Sequence, residues 1–404
     1  MKNTLHNNNS DDLLITDTMT PLYNIICEEI DNSNGQITFA KFMDLANSDP
    51  NFGYYSQKNL QWGPLGDYET SPEIHPMYGY LWAKQIFQCW NELDRPKNFS
   101  LIEIGGGSGK FILAILTWMK AKEPDCLSAI DIICLDGNEN RISEQKQLLQ
   151  SHGFKTNHLL LNDWLKKDKT VIGVIISNEF FDSLPVHLVK NVSGELREYY
   201  VKNIDGNLNL IEGEISDTAI DDYFNNIGIT PGEGCNAEVG LIGATLMEQF
   251  AKKLQRGYIF AIDYGYEANT LFASWRYQGT LMAFKNHNPQ QNVLANPGRQ
   301  DLTAHVDFTT LANSASKYNL HRAQTITQAE ALTALGLPEI MQSSAARAAE
   351  DFAKFVSERK AAENLTNLEG LGRTRVLALA KNANLSRLKC LQPITIQNTN
   401  TAKH

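Results

Sequence analysis

From residue 99 onward the chain alternates short apolar runs with segments of helical period. The runs are Phe99–Ile104, Ile130–Leu135, His158–Leu161, Val171–Ser177 and Tyr258–Ile262. Phe111–Ala121, Arg141–Gln150 and Gly240–Leu254 carry helical spacing between them. Runs this apolar do not suit a strand with one wet face. The pattern predicts an α/β fold with a mostly parallel sheet covered by helices on both faces. Leu320–Thr325 and Thr374–Leu379 are expected to close the sheet, with the helical stretch Gln328–Lys360 between them. Ligands of such sheets sit at the carboxyl ends of the strands. The residues that directly follow the predicted strands are Gly105–Gly109, Asp136, Asp163, Asn178–Asp182 and Asp263–Gly265.

The remaining segments frame this core. Residues 1–18 are polar and Asn-rich and are expected to form a disordered tail. Residues 19–97 read as a helical N-terminal unit, with apolar faces at Leu22, Ile25, Ile26 and Ile30 and at Phe39, Phe42, Met43 and Ala46. That unit ends in an aromatic, Gly- and Pro-rich stretch suited to covering a ligand. The core is expected to span 98–385, with insertions near 188–230, 266–310 and 328–370, and a C-terminal tail at 386–404. In the first insertion, Asp205-Gly206 between two alternating runs predicts a hairpin.

The glycine loop LIEIGGGSGKF at 101–111 leads from strand to helix and is built to cradle a cofactor. A phosphate-binding P-loop would need glycine at 104 and Ser or Thr at 111, where the chain has Ile104 and Phe111. A dinucleotide loop counted from Gly105 would need a third glycine where Lys110 stands. What remains is Glu103-x-Gly105-x-Gly107-x-Gly109, which resembles the cofactor loop of class I S-adenosylmethionine methyltransferases. Asp136, at the end of the second predicted strand, suits the two hydroxyls of a ribose. Asp163 is expected near an adenine amino group. Asn178-Glu179-Phe180-Phe181-Asp182 follows the fourth predicted strand, and a carboxylate there can hold a cationic acceptor. His305 lies in Asp301-Leu302-Thr303-Ala304-His305-Val306-Asp307, whose alternation would set Asp301, His305 and Asp307 on one strand face, while a loop fits the segment equally well.

Composition narrows the partners. A formal charge of −10 argues against a general nucleic-acid binder and is compatible with a basic protein substrate. The six cysteines form no C-x-x-C and the nine histidines no paired metal motif, so neither disulfides nor a metal is expected. No apolar run approaches the roughly 20 residues of a membrane helix, and no signal or transit pattern opens the chain. A cytoplasmic location follows as the expectation.

Taken in order, GDYETSPEIHPMYG (66–79), IEIGGGSGKF (102–111), SNEFFDSLPVH (177–187), IDYGY (262–266) and PGRQDLTAHVDF (297–308) resemble the MidA-like family of class I methyltransferases. The resemblance spans most of 20–385. It implies a seven-stranded Rossmann-like sheet and S-adenosyl-L-methionine as cofactor. Glu103, Gly105, Gly107, Gly109, Asp136, Asp163 and Asn178 would hold the cofactor, and Glu179, Asp182 and His305 would act on the acceptor. The mitochondrial members are associated with arginine methylation of a respiratory-complex subunit, so a protein arginine is the implied substrate. Two other readings stay open: a non-catalytic assembly factor on the same fold, and an NAD-dependent oxidoreductase, which Lys110 disfavours.

Overall fold

A computed structural model describes residues 20–57, 60, 63, 70–285 and 288–392. The expected tail at 1–18, residues 66–69 of the covering segment and most of the C-terminal tail lie outside the described residues. The central sheet is built on six strands: Phe99–Ile104, Ile130–Asp136, Asn157–Leu160, Val171–Asn178, Leu254–Asp263 and Arg375–Lys381. Across the sheet the order is third, second, first, fourth, fifth, sixth. The first five are parallel, and Arg375–Lys381 pairs antiparallel with the fifth. The strand expected at Leu320–Thr325 is broken into His321–Arg322 and Ile326–Thr327, both paired to Arg375–Lys381. The sheet therefore has eight strands where seven were expected. It is otherwise the Rossmann-like arrangement of class I methyltransferases.

Alternation along each strand divides the core in two. Phe99 and Leu101 join the helices Met77–Glu92 and Lys110–Lys122 on one face. Ile102 and Ile104 pack with Met247, Phe250 and Leu311 on the other. Trp82, fully buried, meets Phe260 edge-on at 5.5 Å. Both faces are dry, which is why these strands read as continuous apolar runs.

The span 19–97 does not pack as one unit. Helices Pro21–Asn32 and Phe39–Ser48 bury Leu22, Ile26, Phe39 and Phe42 against Leu188, Val201 and Leu302 of the insertions. Ile37–Thr38 even adds a short strand to Glu195–Ile204. Met77–Glu92 instead belongs to the core face described above. The first insertion forms a sheet of its own from His187–Val192, Glu195–Ile204, Asn207–Gly213 and Asn236–Val239. Its hairpin turns at Asp205-Gly206, both in the left-handed region, as the dipeptide predicts. The second insertion, with little periodicity in its sequence, folds into three short strands: Met282–Lys285, Asn288–Gln290 and Asp301–Thr303. The second insertion supplies much of the wall of the site, through Arg276, Thr280, Met282, Phe284, Asp301 and His305.

Candidate active site

Two cavities meet at the carboxyl edge of the sheet. The first is lined by Glu103, Gly105, Gly106, Gly107, Ser108, Asp136, Asn138, Arg141, Asn178 and Glu179. The glycine loop is held open as a concave turn. Gly105 (φ +66°) and Gly107 (φ +53°) are left-handed, and a Cβ on Gly105 would come within 2.7 Å of Phe180. Gly105 N–H donates to Leu135 O at 2.8 Å, which carries the sheet one bond into the loop. Gln145 ties the loop to the next helix, donating to Gly107 O at 3.1 Å and to Asp136 at 3.2 Å.

Glu103 lies beneath the loop with neither carboxylate oxygen hydrogen-bonded. Burial, and then repulsion from Asp136, pushes its pKa up to about 8. A buried orphan acceptor on a cavity wall is costly unless a ligand supplies the donor. Asp136 accepts from Asn138 N–H at 3.0 Å, and burial outweighs its hydrogen bonds to raise it to about 6. Two acidic groups under a glycine turn fit a ligand that offers hydroxyls and an ammonium. They do not fit one that offers phosphates. The residues present therefore suit S-adenosylmethionine.

Asn178 accepts from Tyr78 O–H at 2.6 Å and donates to Glu179 at 3.1 Å. Glu179 is a non-glycine residue in the left-handed region, φ +50°, pinned by its N–H to Ile262 O at 2.8 Å. Such backbone strain persists where surrounding structure over-determines it. Asp263 supplies that structure, accepting from the N–H groups of Phe180, Phe181 and Tyr264. The turn aims Glu179 between the two cavities, so that it lines both, as does Tyr55. Burial and the nearby Asp263 push the Glu179 carboxyl up to about 8.

The second cavity, about 460 Å³, is lined by Glu179, Asp182, Asp301, His305, Tyr264, Arg276 and Arg373 among others. Its size falls in the usual range of ligand pockets. Burial and the carboxylates around Asp182 hold its pKa well above the ordinary range. Asp301 accepts from Tyr55 O–H at 2.5 Å. His305 has a buried Nδ1 with no hydrogen-bond partner. Burial and the cations Arg276 and Arg373 lower its pKa to about 4, so it is neutral.

Three expectations need correction. Asp163 is not in the cavity: the helix Leu161–Lys166 starts directly from the third strand, and Asp163 points to solvent and pairs with Lys166. Asp301, His305 and Asp307 do not share one strand face. The strand Asp301–Thr303 ends before His305, and Asp307 instead caps the helix Phe308–Ser316 by accepting from Thr309 and Thr310 N–H. Gly109, left-handed at φ +81°, caps the helix Lys110–Lys122 and packs on Gln145 rather than lining the cavity.

Sequence reasoning passed over Glu73. It lies in the 66–79 motif, lines the first cavity, and receives Ser108 O–H and, at 2.6 Å, Lys110. Lys110, standing where a dinucleotide loop has glycine, thus fastens the preceding segment to the glycine turn. Tyr264 falls within the Asp263–Gly265 segment that follows the fifth predicted strand, but Tyr55, Arg276 and Arg373 were likewise missed. An acidic residue inside a Pro-flanked motif was the available signal for Glu73, and no comparable signal marks the others.

Comparison with known proteins agrees with this geometry. Residues 81–326 match the family described as "Putative S-adenosyl-L-methionine-dependent methyltransferase". Among curated relatives, the zebrafish (Danio rerio) mitochondrial protein arginine methyltransferase NDUFAF7 is 28% identical over 77% of this chain and 75% of its own. The Caenorhabditis elegans homolog is 27% identical over 69% and 68%. A Burkholderia thailandensis crystal structure bound to S-adenosyl-homocysteine superposes with a TM-score of 0.80 at 23% identity, covering 91% of this chain and 94% of that one. The family match, over more than half of the chain and including the glycine loop, shows that this protein belongs to the MidA-like family of S-adenosylmethionine-dependent methyltransferases, with S-adenosyl-L-methionine as its cofactor.

Proposed function

We propose that the protein transfers a methyl group to an arginine side chain of a partner protein. One observation carries the reading: Glu179 lines both cavities, and the second cavity places Asp182 and Asp301 with it. The curated relatives named as protein arginine methyltransferases support it. In this reading Glu103, Gly105, Gly107, Asp136 and Asn178 hold the cofactor, which when bound supplies an electrophilic methyl group. Glu179 and Asp182 receive the guanidinium, which stays charged at any physiological pH. An entering cation lowers the pKa of both carboxyls, so acceptor binding ionises the groups that hold it. Charge drawn toward the carboxylates leaves the free guanidinium nitrogen better able to attack. That nitrogen must then shed one proton, and Glu179 stands where it can take it. His305, neutral and buried, bounds the cavity without competing for the guanidinium.

The test is methylarginine proteomics in cells lacking the gene, complemented with wild type or Glu179→Gln. Sites lost without the gene should return with wild type alone. Return of the same sites with Glu179→Gln, or loss confined to other residue types, would sink the reading.

The pH profile follows from Glu179. The free enzyme holds it protonated below about 8, and only the carboxylate binds guanidinium. The value of kcat/KM for the acceptor should therefore rise with pH through neutrality, reach half its maximum near pH 8 and level off above it. A profile flat from pH 6 to 8.5 would remove Glu179 from acceptor binding.

Asp136 should act on the cofactor alone. Losing charge-assisted hydrogen bonds costs about 1.5–3 kcal/mol, roughly ten- to a hundredfold in affinity. Asp136→Ala should weaken S-adenosylhomocysteine by that factor in calorimetry. An unchanged dissociation constant would leave Asp136 only its turn with Asn138.

A further inference from the structure

The second cavity holds charges of both signs, and among the described residues neither Arg276 nor Arg373 forms an ion pair with Glu179 or Asp182. Burial and then Asp263 and Asp301 raise the pKa of both Glu179 and Asp182, and Glu179 adds to the rise at Asp182. Arg276 and Arg373 act instead on His305. Arg276 is half-buried, its Nε donating to Thr270 O at 3.2 Å. Its guanidinium stacks on Tyr266 at 4.3 Å and Trp275 at 4.4 Å from the ring centres. Arg373 is exposed and lies over Tyr264 at 5.6 Å. The arginines that pair with carboxylates among the described residues are other ones: Arg141, Arg197, Arg256, Arg322, Arg359 and Arg387.

Two close rings hold the Arg276 guanidinium and a third lies beside Arg373, and among the described residues both arginines keep N–H donors without a carboxylate partner. Planar, pre-oriented donors of this kind match a carboxylate. Outside the cavity, Trp275 and Tyr277 are 65% and 60% exposed, and Met282 lines the cavity while 38% exposed. An aromatic rim beside a deep charged cavity suits a polypeptide that inserts one side chain and lies across the edge.

We propose that the acceptor arginine is presented by a polypeptide that also carries an acidic side chain close to it, received by Arg276 and Arg373 while the guanidinium enters between Glu179 and Asp182. This rests on the arginine reading above and adds the recognition chemistry of the acceptor segment. The same paired charges exist in free arginine, whose α-carboxylate is the other source.

Synthetic peptides test this directly. Each carries one arginine with Asp, Asn or Lys one to three residues away, and free L-arginine is run beside them. Methyl incorporation is read by mass spectrometry with the full-length protein. The best Asp peptide should exceed its Asn counterpart about tenfold in kcat/KM, the scale of one charge-assisted contact. That preference should collapse in Arg373→Gln, which removes an exposed side chain, and in Arg276→Gln. Undiminished S-adenosylhomocysteine binding establishes that each variant is folded. Equal use of Asp and Asn peptides, or a preference that survives both substitutions, overturns the proposal while leaving arginine methylation standing. Methylation of free arginine as efficient as of the best peptide overturns the polypeptide source. No transfer to any arginine compound overturns the arginine reading itself.

Discussion

Glu179→Gln is expected to lower methyl transfer at least ~100-fold, the scale of losing one preorganised electrostatic contact. Cofactor affinity should stay within a few-fold of wild type. The substitution keeps the side-chain size, and the remaining carbonyl oxygen can still accept from Ser71 N–H and Asn178. Only the charge is lost, and the charge is what faces the second cavity. Stability should move the other way. The Glu179 carboxyl is raised from 4.5 to about 8 by burial and by Asp263. Between those values the native state binds more protons than the unfolded chain, so this group makes wild-type stability fall as pH rises. Glutamine removes that contribution, and the variant should melt at or above wild type near pH 8. Single-turnover transfer, calorimetry with S-adenosylhomocysteine and thermal melts at pH 6 and 8 separate these effects. Full activity would pass the acceptor role to Asp182. Loss of cofactor binding would place Glu179 with the cofactor.

The parts of the site that were legible are those the sheet itself positions. A parallel strand buried on both faces must be apolar until it emerges, and its first polar residues mark the edge where ligands bind. Asp136, Asn178 and Glu179 follow from that rule and do line the cavities, as does Glu103, read from the glycine-loop motif. Asp163 fails it because Leu161 already begins a helix: three residues beyond the strand the chain has turned toward solvent. His305 reaches a cavity, though not by strand alternation. The backbone changes partners after Thr303, and His305 is held instead by its N–H to Thr280. The second cavity was the least legible. Glu179 and Tyr264 stand at strand ends, but Tyr55, Arg276 and Arg373 come from three further segments, and no local pattern marks residues that meet only after the chain has folded. The unmarked break in the strand at 321–327 has the same origin. Ala323 N–H still bonds Ala378 O at 3.0 Å, so the edge stays attached while its regular pairing lapses.

Gly107→Val should abolish measurable cofactor binding and leave the fold intact. Gly107 sits at φ +53° on the cavity wall, with its carbonyl held by Gln145. A branched side chain there meets two separate penalties. The left-handed backbone costs an L-residue about 1–2 kcal/mol, which alone is roughly tenfold if binding requires the native turn. The added methyls would also stand where the ligand must approach the backbone. Gly107→Asn separates the two, because asparagine tolerates the left-handed region yet still fills the cradle. Both variants should lose S-adenosylhomocysteine affinity by more than ~100-fold, the scale of about 2.7 kcal/mol. The helix Lys110–Lys122 packs against the core through Ile112, Ile115 and Leu116, which do not line the cavity. Circular dichroism and the melting transition should therefore remain cooperative. Retained affinity in Gly107→Asn with loss in Gly107→Val would trace the defect to backbone strain. Normal affinity in both would remove the glycine turn from the cofactor site, whatever its likeness to other methyltransferase loops.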